Sequence, residues 1–202
     1  MRFAVRVIGV ALLAVGWIAG SNSTRTVDPF ETATVQAHPS AGARITYPED
    51  QIPTLVLPDG QIRAVHSLLN IEHSMQFGDY LWNDDGIAAG PIWVRVDLAS
   101  QTLSVFRAGH EIGSAVILFG ADDKPTPSGV FPVLAKARRH RSSLYDAEMP
   151  FMLRLTGDGV AIHASDVRQG AATHGCIGVP LAFAQRLFGQ IRVGDQVAII
   201  AT

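Results

Sequence analysis

Cysteine occurs once in the chain, at Cys176, inside the stretch ATHGCIGVP that runs from Ala172 to Pro180. His174 precedes it by two positions, with Gly175 between them. A free thiol titrates near pH ~8.5 and is mostly protonated at neutral pH, so a nearby imidazole that takes its proton creates the nucleophile. Two histidines are placed to do this. His174 is the nearer in sequence, but in a tight loop its side chain can point away. His163 closes a predicted strand, and a returning loop can bring it against Cys176. His163 is therefore the favoured general base, and later the general acid toward a leaving amine. Gly175 lets the chain turn sharply and lets a carbonyl approach the main chain. The amide N–H groups of Gly175 and Cys176 can then converge on one oxyanion, where a single donor commonly contributes about 3 kcal/mol to the transition state. A third group must orient the imidazole. Asp166 is the nearby acid, and a backbone carbonyl such as that of Ala164 is the other candidate; both stay open.

The same residue types admit other readings. A lone cysteine also packs as a small, inert hydrophobe. His163, His174 and Cys176, with His140 as a fourth ligand, are a zinc set by composition. No C-x-x-C or H-E-x-x-H spacing accompanies them, so no metal and no cofactor is expected. The run ARRHRS brings Arg138, Arg139, His140 and Arg141 together, either as a solvated loop or as a site where one guanidinium meets a carboxylate of the substrate. DDKPTPSG, from Asp122 to Gly129, reads as a rigid turn or as one wall of a cleft. MPFM, from Met149 to Met152, reads as core or rim. The acid pairs Asp84-Asp85 and Asp122-Asp123 read as turn residues.

The elements that must carry these groups are mostly strands. IWVRVDL alternates, with Trp93, Arg95 and Asp97 on one side and Ile92, Val94, Val96 and Leu98 on the other. QTLSVF and IGSAVILFG follow across short turns, giving a meander. GVFPVLAKA is a further strand that Pro132 confines to an edge or bulge. FMLRLT, the turn GDG and VAIHAS form a hairpin that ends at His163. After the cysteine motif, Pro180 opens a helix over LAFAQRLFGQ, with Leu181, Ala184, Leu187 and Phe188 at helical spacing. GDQVAII closes as a strand. The fold class is mainly β, a sandwich with one or two short helices.

Upstream, residues 61–90 read as a short helical lead-in, because Val65, Leu68, Leu69 and Ile71 give Gln61–Phe77 a partial apolar face. Residues 22–60 lack any period and read as a linker or poorly ordered tail. Residues 1–21 carry two arginines and then an uncharged run, VIGVALLAVGWIAG, with small residues at Ala19-Gly20-Ser21. That fits an export signal or an N-terminal anchor, and the run is short for a membrane span of about 20 residues. The catalytic portion is then 91–202. The chain has 202 residues, 48% apolar and 17% charged, with a formal net charge of −2, which speaks against nucleic acid as the partner. An exported chain with one cysteine has no internal disulfide. A working site of this kind is expected to alkylate well below pH 8.

IHAS followed by ATHGCIGVP resembles the signature of the L,D-transpeptidase catalytic domain, the YkuD-like fold. VRVDLASQTLSVFRAGHEIGSAVILFG resembles the family's opening strands, and KPTPSGVFPV its "TP.G.F" segment. The resemblance implies a β-sandwich-like fold with a small capping helix. It matches Cys176 to the nucleophile, His163 to the histidine that activates it, and His174 and Gly175 to the motif residues beside the oxyanion site. It further implies that a main-chain carbonyl after the histidine orients the ring, in agreement with Ala164. The implied substrate is a peptidoglycan tetrapeptide stem, cut before its terminal D-alanine, held as a thioester and passed to an amine. The implied location is the periplasm or cell envelope, with a possible membrane tether through the N-terminal segment. Hydrolysis of the thioester, as in an L,D-carboxypeptidase, and a non-catalytic wall-binding role are the alternatives. Gly178 stands where Arg or Asn is common in the family, and Ala164 where Gly or Ser is common.

Overall fold

The computed structural model describes residues 44–121, 123–142 and 145–201. Its elements begin with β1 (Ile45–Thr46), a 3-10 turn (Glu49–Gln51), β2 (Thr54–Val56), β3 (Ile62–Ala64), β4 (Ser67–Leu68) and β5 (Tyr80–Trp82). The expected meander follows as β6 (Ile92–Asp97), β7 (Thr102–Arg107) and β8 (His110–Val116). Then come β9 (Gly129–Pro132), β10 (Ala135–Ala137), β11 (Met152–Arg154), β12 (Ala161–Ala164) and β13 (Ile177–Val179). The helix α1 (Leu181–Gln190) and β14 (Gln196–Ile200) complete the chain. No helix among the described residues is long and apolar enough to cross a membrane.

An eight-stranded sheet runs in the order β1-β4-β8-β7-β6-β14-β9, with β5 also paired to β8. A four-stranded sheet runs β10-β11-β12-β13, and β2 and β3 form a separate hairpin. The main core lies where both larger sheets and α1 meet. Val94, Val96, Leu103, Val105, Val197 and Ile199 come from the large sheet, Leu153, Ile162 and Ile177 from the smaller one, and Phe183 and Leu187 from the helix. The helix starts after Pro180, whose φ of −56° is already suited to it. At its other end the Lys136 ammonium, on β10, donates to the carbonyls of Phe188 and Ile191, which tethers the helix to the smaller sheet. Pro132 does end an edge strand, since β9 pairs only with β14.

Two expectations are corrected. The segment 61–90 is not a helical lead-in: it holds β3, β4 and β5 joined by turns. Of the expected tail 22–60, the described part from Arg44 onward is ordered structure with β1 and β2. Its remainder, and residues 1–21 with the expected export signal or anchor, lie outside the described residues. The physical reason is on the second face of the large sheet. Trp93 and Phe106 stack there at 4.3 Å between ring centroids. Leu57 and Val65, from either side of the β2–β3 hairpin, bury them together with Ala198. Arg44 pins the start of this cover through Nε to the Ser67 hydroxyl (3.0 Å) and through Nη1 to the Asn83 carbonyl (3.0 Å). Strands of two or three residues are too short to show a period, so their apolar residues imitate a helical stripe.

Candidate active site

Strands β12 and β13 run parallel, with Ile162 opposite Ile177, His163 opposite Gly178 and Ala164 opposite Val179. Side chains alternate along a strand. Ile162 and Ile177 point into the core, at 1% and 0% exposure. Their neighbours therefore face the other way, so that His163, Ala161, Cys176 and Gly178 share one face. Ala161 and Cys176 pack there with Met149, Met152 and Ala137. Of MPFM, Met149 and Met152 are buried on this face, whereas Phe151 belongs to the main core. From strand spacing and rise, the backbones of His163 and Cys176 are about 8 Å apart on the diagonal, within reach of their two side chains.

His163 Nδ1 lies 2.9 Å from the Ala164 carbonyl. A carbonyl only accepts, so Nδ1 carries the proton and Nε2 is left with its lone pair for the cleft. Of the two candidates for orienting the ring, the Ala164 carbonyl is the one in hydrogen-bond contact with it. Asp166 instead sits beside Arg168 at 3.4 Å, and both are exposed. Burial pushes the His163 pKa down; the Ala164 hydrogen bond opposes this, and the nearby His140 adds to it. The Cys176 thiol moves the other way: burial raises it, and a backbone contact at Ala161 offsets part of the rise. The thiol points at the Gly159 carbonyl, 3.8 Å away. Both shifts disfavour the charged forms, the imidazolium of His163 and the thiolate of Cys176. That direction runs against alkylation well below pH 8, which a pH profile of Cys176 alkylation tests.

The motif loop is held on both sides. Leu118 and Gly178 exchange two backbone hydrogen bonds of 2.9 Å, the Thr173 amide donates to Phe119 (3.0 Å), and the Ala121 amide donates to Thr173 (3.2 Å). Gly175 sits at φ +100°, a backbone conformation that a side chain would strain. The Thr173 hydroxyl donates to the Cys176 carbonyl at 2.5 Å. Among the described residues, neither the Gly175 nor the Cys176 amide donates within a turn or loop. His174 is exposed, and its ring stacks on Tyr145 at 4.3 Å. Tyr145 belongs to the hairpin that joins β10 to β11, where Arg141 and Glu148 pair across the backbone.

Arginines of ARRHRS are engaged within their own loop. Arg141 is engaged within its own hairpin by Asp146 (2.6 Å) and Glu148 (2.5 Å), and Arg138 lies over the Phe151 ring. Arg138 and Arg141 therefore hold their own loop. Ser165 was not singled out, yet its Oγ is 3.4 Å from His163 Nδ1. It also explains the unusual glycine: a Cβ on Gly178 would lie 2.8 Å from both Cβ and Oγ of Ser165. Among the described residues, no three His, Cys, Asp or Glu side chains are grouped to hold a metal ion.

Residues 91–199 match the YkuD family, the L,D-transpeptidase catalytic domain. Among solved structures, the chain is similar to an L,D-transpeptidase from Stackebrandtia nassauensis, with a TM-score of 0.52 and 24% identity over 57% of this chain and 58% of that one. It is also similar to an L,D-transpeptidase from Mycobacterium tuberculosis H37Rv, with a TM-score of 0.50 and 23% identity over 55% of this chain and 57% of that one. A third likeness is to L,D-transpeptidase 3 from Mycobacterium tuberculosis, with a TM-score of 0.50 and 20% identity over 55% of this chain and 61% of that one. The match spans less than two thirds of each of these structures. At these identities the likeness is one of fold. No curated protein matches the chain.

Proposed function

The chain belongs to the YkuD family of L,D-transpeptidase catalytic domains, and from that premise we propose that it is an exported cysteine peptidyltransferase acting on peptidoglycan tetrapeptide stems. The observation that carries the reading is the register of β12 and β13, in which His163 and Cys176 share one face beside the left-handed turn at Gly175.

The chemistry starts from the His163 tautomer that the Ala164 hydrogen bond selects. With Nδ1–H committed to Ala164, Nε2 of His163 accepts the Cys176 proton as the thiol turns from Gly159 toward the imidazole. Sulfur adds to the carbonyl before the terminal D-alanine, and the developing oxyanion is met by the Gly175 and Cys176 amides. The C–N bond breaks, the imidazolium returns its proton to the leaving D-alanine amine, and the peptide remains as a thioester. An acceptor amine then adds to the thioester, His163 takes its proton, and the thiol is regenerated on release of the product. If water is the acceptor, the same steps give hydrolysis.

The test is incubation of the full chain with a disaccharide-tetrapeptide, followed by mass spectrometry. A cross-linked dimer one D-alanine lighter than two substrates is the expected product. Tripeptide alone identifies a hydrolase. A result no different from that of Cys176→Ala overturns both enzyme readings in favour of a wall-binding protein.

A further inference from the structure

Thr126 belongs to the turn that follows β8, far in sequence from the catalytic motif, and it is 5% exposed. Its hydroxyl accepts a hydrogen bond from the Gly120 amide at 2.9 Å and donates one to the Gly175 carbonyl at 3.0 Å. In a planar trans peptide the C=O and the N–H point in opposite directions. A bond that fixes the Gly175 carbonyl therefore fixes the direction of the Cys176 N–H on the far side of the same plane. Gly175 could not hold that plane by itself, because a glycine flanking a peptide offers little resistance to its rotation. The turn is pressed close enough to act: a Cβ on Gly120 would lie 2.8 Å from both Cα and N of Gly175. The next peptide plane is held separately by Thr173, through the Cys176 carbonyl.

We propose that Thr126 is a positioning residue that aims the Cys176 amide at the oxyanion of the acyl-transfer step. The inference rests on the cysteine acyl-transfer reading above, but not on the identity of the acyl donor.

The experiment compares two reactions of Cys176 in the full chain. p-Nitrophenyl acetate acylates the sulfur: a C–S bond forms, the thiol proton passes to His163, and p-nitrophenolate leaves after a tetrahedral oxyanion. Iodoacetamide alkylates the same sulfur by displacing iodide, with no oxyanion. Thr126→Val is expected to slow acylation about 10- to 100-fold, somewhat less than full loss of one oxyanion donor. Alkylation should stay within about 2-fold, and Thr126→Ser should restore acylation. Thr126→Ala, with room for a water, serves in place of the valine variant if that variant does not fold, and the same selective loss is expected. Equal loss of both reactions indicates a distorted site and overturns the proposal, as does wild-type acylation in a folded Val or Ala variant. A wild type that acylates with the ester but leaves the stem peptide untouched overturns the substrate reading alone. No Cys176-dependent acylation in the wild type overturns both.

Discussion

At the residue scale, the two central groups are shifted in opposite directions by one cause. Burial disfavours charge, so it lowers the imidazole of His163 and raises the thiol of Cys176. Alkylation of Cys176 by iodoacetamide should therefore keep rising beyond pH ~8.5, the ordinary thiol value. A plateau below pH 8 would show that a thiolate–imidazolium pair exists at rest after all. For His163 the sign is the reverse. Its folded pKa lies below the ordinary ~6.5, so the base stays neutral at pH 6.5 and the acid limb of kcat/KM should have its midpoint below that value. The same shift contributes stability that is present above pH ~6.5 and is lost as the pH falls through the folded value. Cys176 and His163 were legible as candidates because each is a residue type with few uses at that spacing, whereas the choice between Asp166 and the Ala164 carbonyl needed the hydrogen bond to His163 Nδ1. The protonation states were not legible, since they depend on which atoms from distant strands exclude water.

At the scale of elements, the parallel pair β12–β13 sets the site, and its least typical position is explained by a neighbour. Gly178 leaves the space that Ser165 fills, and Ser165 reaches His163. Gly178→Asn alone should push Ser165 against the histidine and reduce turnover by about 10-fold or more, with a destabilisation of roughly 1–3 kcal/mol from overpacking. Adding Ser165→Gly should recover much of both losses, since the clash is then relieved. Additive losses in the double variant, read from kcat/KM and from urea unfolding, would sink this account. Sequence alone marked Gly178 as unusual but could not name Ser165, because the compensation runs across two strands. The meander, the 157–159 turn and α1 were legible for the opposite reason: each announces itself locally, by alternation, by glycines or by a proline.

At the scale of the molecule, the segment from Arg44 to Leu69 is part of the fold rather than a lead-in to it. It buries the outer face of the large sheet, where Trp93 and Phe106 would otherwise meet water. Leu57→Ala in the full chain should cost about 2–4 kcal/mol in unfolding free energy. A change below ~0.5 kcal/mol, the range of ordinary surface substitutions, would mean that the segment is dispensable. The alternating strand β6 hinted at this cover through Trp93, an aromatic on its nominally polar side, but nothing in the sequence said which residues supply it. The half-buried sulfur has a consequence for its resistance to oxidation. Peroxides oxidise the thiolate far faster than the thiol, and a sulfenic acid is ordinarily rescued by a neighbouring thiol. With no second cysteine in the chain, that rescue has no internal source. Burial that disfavours the Cys176 thiolate therefore also slows its loss to peroxide, a protection that a chain with one thiol cannot obtain from a partner thiol of its own.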